Sequence, residues 1–135
     1  KRHNQWQRWT RDVIPRLIDV YADYMSRSKG LREIPATPCN TTSCSCDKKL
    51  LEVDCISFDR VVHVSLQTCR CRTAPMQLLA RGFFPCAPIA PSMAFDLRLL
   101  EFARLLFARL TPNSTGWCEA VEVFMYLLRY RLDTK

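Results

Sequence analysis

Apolar and polar positions follow helical and strand periods along this chain. Apolar residues fall at Ile14, Leu17, Ile18, Tyr21, Tyr24 and Met25, with Arg16, Asp19, Asp23 and Arg27 between them. Three-and-four spacing of this kind marks one face of a helix, predicted here from Val13 to Lys29. Asp12 stands where an N-cap belongs, Pro15 falls in the first turn, and Gly30 is a natural stop. Isolated helices are marginal in water, so this one is expected to pack on a core. Ile34 to Asn40, with Pro35 and Pro38, reads as a loop. Lys49 to Asp54 and Ile56 to Thr68 read as extended, the second holding a β-branched run around His63. They are expected to pair as a hairpin turning near Ser57-Phe58-Asp59-Arg60.

A short helix is predicted from Thr73 as N-cap, through Pro75 in its first turn, to a stop at Gly82. Phe83 to Pro91 reads as a proline-punctuated connector. Ser92 then caps a long helix to Leu110, whose narrow polar stripe marks it as buried. Thr111-Pro112-Asn113 breaks it. A last helix runs from Thr115 to Arg129 with Val121, Phe124, Met125 and Leu128 inward. The expected fold class is α+β, mainly α, with helices packed around a small zinc-stapled β-hairpin unit. A single domain is expected over 1–135: an N-terminal helix (1–34), a cysteine and hairpin lobe (35–72) and a helical part (73–135).

Composition narrows the picture. The chain has 135 residues, 48% of them hydrophobic and 24% charged. That suits one globular domain and not a disordered chain. No apolar run is long enough for a transmembrane helix, and no secretory signal stands at the start. The chain begins with Lys rather than Met, so it is read as a fragment or a processed form. No membrane and no small-molecule substrate are expected.

Cysteine use carries the strongest chemical signal. There are eight cysteines, six of them between residues 35 and 72. Cys44-x-Cys46 and Cys69-x-Cys71 flank the predicted hairpin, which would bring two pairs of soft ligands together for a tetrahedral Zn²⁺. Zinc supplies folding energy that a small lobe cannot draw from its own core. The expected ligands are Cys44, Cys46, Cys69 and Cys71. Cys39 can replace Cys46, giving a looser C-x4-C knuckle, and Cys55 is the other alternate, though its strand setting suits packing. Arg70 and Arg72 are placed to keep the second pair deprotonated. Cys86 and Cys118 are expected as buried free thiols. A secreted disulfide-bonded domain is the competing reading, since the cysteine count is even and Asn40-Thr41-Thr42 and Asn113-Ser114-Thr115 match the glycosylation pattern. C-x-C neighbours do not readily bond each other, which favours metal.

Nucleophilic catalysis needs a base beside the thiolate, and the only histidines are His3 and His63. His63 reads as a packed or edge-strand residue, and His3 lies near the terminus. No phosphate loop, nucleophile elbow, zinc-protease motif or paired catalytic carboxylate is present, so an enzyme is not expected. The net charge of +7 points to acidic partners. Basic residues gather at Lys1, Arg2, Arg8 and Arg11, interleaved with Trp6 and Trp9, and again at Arg60, Arg70, Arg72 and Arg81. Arginine beside aromatic rings suits phosphate contact and base stacking, and a zinc lobe with arginines at its knuckle makes the second group the expected nucleic-acid surface.

The run from Cys69 to Phe102 resembles the CxC-like cysteine cluster found N-terminal to fungal KDZ (Kyakuja–Dileera–Zisupton) transposases. Its parts are Cys69/Cys71, Leu78-Leu79 through Gly82-Phe83-Phe84-Pro85, Ala87 to Pro91, and Ala94-Phe95-Asp96-Leu97. Cys44-x-Cys46, Val53-Asp54-Cys55-Ile56, Trp117-Cys118-Glu119-Ala120 and Tyr130 to Lys135 are similar to it too. The resemblance covers roughly 10–135. It implies a zinc-chelating leading module of a transposable-element protein, nuclear, aiding DNA binding or targeting. It places the acidic catalytic residues in a separate nuclease-like domain that nothing here matches. Met125 to Tyr130 departs from it by being more apolar. An assembly module, through self-association or contact with the transposase catalytic domain, is the alternative.

Overall fold

A computed structural model describes residues 2–36 and 44–131. The chain runs helical from its first described residue: α1 (Arg2–Gln7), a π-helical segment (Arg8–Val13) and α2 (Ile14–Arg27). Asp12 therefore lies inside the helical run and is not its cap. Pro15 sits in the first turn of α2 as expected, and the Ile14 N–H reaches back five residues to the Trp9 carbonyl. Proline cannot supply the next α-helical donor, and widened turns accompany such interruptions.

Two apolar seams run side by side on α2. Leu17, Val20 and Tyr24, continued by Val13 of the preceding segment, make one; Ile14, Ile18, Tyr21 and Met25 make the other. The core takes the first: Leu17 and Tyr24 are buried with Leu79 and Leu97, and Val13 and Val20 pack against them. Ile18 stays 61% exposed. The sequence stripe is wider than the surface that meets it.

β1 (Lys49–Ile56) and β2 (Val61–Thr68) form the expected hairpin, with Lys49 opposite Thr68 and Ile56 opposite Val61. The Ser57 N–H donates to the Arg60 carbonyl at 2.9 Å and closes the turn. α3 (Ala74–Ala80) follows from Thr73, with Pro75 in its first turn.

The connector expected over Phe83–Pro91 contains a strand, β3 (Phe83–Pro85), and the start of the expected long helix is another, β4 (Met93–Asp96). β4 pairs parallel with β1, setting Ala94 beside Cys55, and antiparallel with β3. The hairpin is thus half of a four-stranded mixed sheet ordered β2-β1-β4-β3. β1 had an open edge, and three- and four-residue strands suffice to satisfy it. Strands this short leave too few alternations to register as a period.

The following helix, α4, spans Leu97–Phe107 and is capped by Asp96, whose carboxylate accepts the Arg98 N–H at 2.8 Å. It is not the fully buried helix its composition suggested. Leu97, Leu99 and Ala103 are buried, while Phe102 and Leu105 are exposed. α5 (Ser114–Leu127) is capped by Asn113. Met125 is buried, with Trp117 and Val121 packed beside it on Ile56 and Leu99. Phe124 and Leu128, expected inward, are exposed.

The sheet separates two cores by strand parity. One face carries Val53, Cys55, Leu66 and Ala94 onto Leu78 of α3. The other carries Ile56 onto Leu99 and Met125. Cys86 and Cys118 are both exposed, against expectation. Cys86 follows the last residue of β3, and Cys118 is one position past the inward-facing Trp117. Among the described residues no helix is long and apolar enough to cross a membrane.

Two glycines sit at positive φ and differ in surroundings. A Cβ on Gly82 (φ +87°) would meet the buried Tyr24 ring within 2.5 Å, whereas one on Gly30 (φ +69°) meets nothing. G82A is therefore expected to destabilise the fold by about 2–4 kcal/mol and G30A by about 1 kcal/mol. Urea denaturation of both variants checks the ordering.

Candidate metal centre

The open end of the β1–β2 hairpin positions the cysteines. Past the Lys49–Thr68 pair the two chains bring Cys44 and Cys46 against Cys69 and Cys71. All four Sγ atoms lie within 4.8 Å of one another. Cys44 approaches Cys69 at 3.4 Å, and Cys46 approaches Cys71 at 3.4 Å. These separations are far beyond an S–S bond of about 2.05 Å. Four thiolates about 2.3 Å from one tetrahedral Zn²⁺ would stand about 3.8 Å apart, so the arrangement needs only small adjustments to hold such an ion. The sulfurs cluster in a way that could bind a metal, and all seven described cysteines are free.

The second pair rides on a tight loop. The Cys69 N–H donates to the Arg72 carbonyl at 3.1 Å, turning the chain through Arg70 and Cys71. Gln77, on α3, fixes this loop from behind. Its amide donates to the Gln67 carbonyl at 2.8 Å and to the Arg72 carbonyl at 3.0 Å, spanning the segment that holds both cysteines. Gln77 is one of two buried polar residues among those described. Sequence reasoning missed it. The available signal was a glutamine among Pro75, Met76, Leu78 and Leu79, where a buried amide needs partners.

The Cys46 thiol is pushed above its ordinary value, first by its hydrogen bond to Cys71. Its Cys71 neighbour and partial burial raise it, while the Cys44 contact opposes them. A bound divalent ion would reverse the preference, since metal displaces thiol protons.

Protein-family models were compared with the chain. The CxC1-like cysteine cluster associated with KDZ transposases matches residues 26–126. The chain belongs to this family. Searches of curated proteins and of solved structures each returned no match.

All four clustered cysteines of this CxC1-like module lie inside the matched span. Cys55, the alternate ligand, lies elsewhere: it is fully buried in the sheet core, and burial pushes its thiol up to about 11. Cys39 falls outside the described residues, as does Asn40.

Of the four arginines expected to form one nucleic-acid surface, Arg60 is set apart, while Arg70 and Arg72 share the cysteine loop and burial, helped by the Arg72 charge, lowers the Arg81 pKa. Arg70 is exposed at the cysteine loop. Arg60 lies in the turn at the other end of the hairpin, roughly 25 Å away at the usual strand rise, and pairs with Asp59. Arg81 is half-buried and donates to the Gln77 carbonyl at 3.0 Å. Arg72 contributes its carbonyl to the loop. Near the N-terminus Trp9 stacks on Phe84 at 5.6 Å, so its ring is used internally, while Trp6 is exposed.

His63 stands on the exposed face of β2, far from any thiol of the cluster. Its Nδ1 bonds Asp54 at 2.9 Å and its Nε2 bonds Glu52, which also accepts from the Ser65 hydroxyl at 2.7 Å. The two carboxylates, Asp54 first, raise the His63 pKa above its ordinary value. His3 bonds Gln7 within α1.

Two outcomes are expected. Q77L removes the amide that donates to the Gln67 and Arg72 carbonyls, leaving only the Cys69 N–H on the latter, which should lower stability by about 1–3 kcal/mol and weaken metal binding about tenfold; calorimetry and competitive metal titration measure both. His63 should titrate above about 6.5 by NMR, the unshifted value, and D54N should bring it down. Because the folded pKa is the raised one, the ion pair's contribution is full below the unfolded value and is lost as pH rises through the folded one.

Proposed function

We propose that this CxC1-like module is a non-catalytic, zinc-stapled leading part of a KDZ-transposase-like protein, acting in the nucleus to help engage or target DNA. The observation that carries the reading is the convergence of Cys44, Cys46, Cys69 and Cys71. Four sulfurs with no open coordination position suit a structural Zn²⁺ rather than a hydrolytic one. When bound, the ion supplies folding free energy by joining the two chains at the open end of the hairpin. The DNA role is supported by the net charge of +7 and by the exposed Arg70 at the loop.

An assembly role is the second reading, favoured by one observation. Ile14, Ile18 and Tyr21 on α2 and Val123, Tyr126 and Leu127 on α5 are large, apolar and exposed. Light scattering that shows a mass rising with concentration, in protein without DNA affinity, would replace the first reading with this one.

The metal is tested directly. Protein purified without chelator should carry about one zinc per chain and lose its fold on chelation. C55A should keep that stoichiometry and C69S should lose it. Four thiol protons compete with the ion, so occupancy should fall as pH is lowered. Metal-free protein with an unchanged circular dichroism spectrum would sink the staple.

A further inference from the structure

A groove of about 460 Å³ runs beside the cysteine cluster, between the start of α2, the open end of the hairpin and the β3–β4 connection. Its walls bring together charges that are distant in sequence. Arg16 comes from α2, Lys49 from the first position of β1, and Arg70 from the cysteine loop, with Asp12 and Asp47 beside them and apolar Ile89 at one side. All three cations are exposed. Among the described residues none of them has a carboxylate partner, although two carboxylates line the same groove. Several cations elsewhere pair with a carboxylate three or four residues away: Arg27 with Asp23, Lys29 with Glu33, Arg104 with Glu101.

We propose that this groove, rather than the Arg60 and Arg81 regions, is where the module holds the phosphate backbone of DNA, with Arg16, Lys49 and Arg70 as its contacts. The inference rests on the DNA reading above and gives it a location. Unpaired cations converging from three elements are the arrangement that phosphate contact requires, because backbone contacts position a protein on a duplex without reading bases. Arginine forks suit phosphate oxygens, and Lys49 adds a point charge. Three cations against two carboxylates leave a small positive excess in the groove, which the chain's overall +7 reinforces at longer range. Asp12 and Asp47 oppose the anion and limit its affinity. Cys69 also lines the groove, so the proposed zinc site fixes one wall.

Binding of the zinc-loaded full chain to a fluorescent random-sequence duplex, measured across a salt series, tests this. R16Q, K49Q and R70Q should each reduce the slope of log affinity against log salt by about 1, while R60Q should leave it unchanged. D12N and D47N should each tighten binding, a gain that misfolding cannot produce. Circular dichroism and zinc content are checked for every variant. Wild-type binding with slopes and affinities untouched by all five groove variants overturns this location and leaves the DNA reading standing. No duplex binding by the wild type at low salt overturns both. Binding of a polyglutamate peptide in place of DNA, with the same dependence on the groove variants, would make the groove an acidic-protein interface and overturn the proposal.

Discussion

The pairing of β1 with β2 in one register, Lys49 opposite Thr68 and Ile56 opposite Val61, is the constraint on which the other features rest. β1 is an interior strand. One ladder binds it to β2 and so delivers the two C-x-C segments to each other. The other ladder binds it to β4 and so joins the hairpin to the helical half of the chain. Side chains alternate across a strand, so a slip of one residue would turn Val53 and Cys55 outward and drive Glu52 and Asp54 into the core against Leu78. It would also separate the sulfurs. Core and cluster therefore report the same register from two sides.

Much of this arrangement was legible in the sequence, for reasons that differ by element. The hairpin could be read because eight-residue strands give enough β-branched alternation, and because Ser57 to Arg60 breaks it. The cysteine cluster followed, since a hairpin with C-x-C at both ends has few other geometries. α3 was fixed by local chemistry at Thr73, Pro75 and Gly82. What was missed depends on partners that local patterns do not name. β3 and β4 exist because β1 had a second edge to satisfy. On α2 two seams had equal apolar content, and only the positions of Leu79 and Leu97 choose between them. Cys86 and Cys118 were misplaced by treating cysteine as a small hydrophobe, whereas Cys86 sits just past the end of β3 and Cys118 on the outward side of α5.

Gln77 shows how the two halves are coupled. Its backbone lies in the first turns of α3, flanked by Leu78 and Leu79, which belong to two different apolar clusters. Its side chain ties the carbonyls on either side of the cysteine loop. A buried amide left without partners is expensive, so α3 can pack fully only when the loop is closed. Closure of that loop is also what sets Cys69 and Cys71 at their spacing. Packing and ligand geometry thus favour each other before any ion is considered, and the ion then has less disorder to overcome.

The charges divide along the same lines. Negative groups on the exposed face of the hairpin, Glu52 and Asp54, are taken up by His63 and Ser65. Several helical cations are taken up by carboxylates three or four residues away. Arg16 on α2, Lys49 at the first residue of β1 and Arg70 on the loop have no carboxylate partner among the described residues and converge at the cysteine end. Surface ion pairs contribute little to stability, so pairing some cations and leaving others bare changes the fold very little. It changes the field the molecule presents at the groove that those three cations line. Under the proposed DNA reading, the groove's three cations against two carboxylates would orient the module on an anionic backbone.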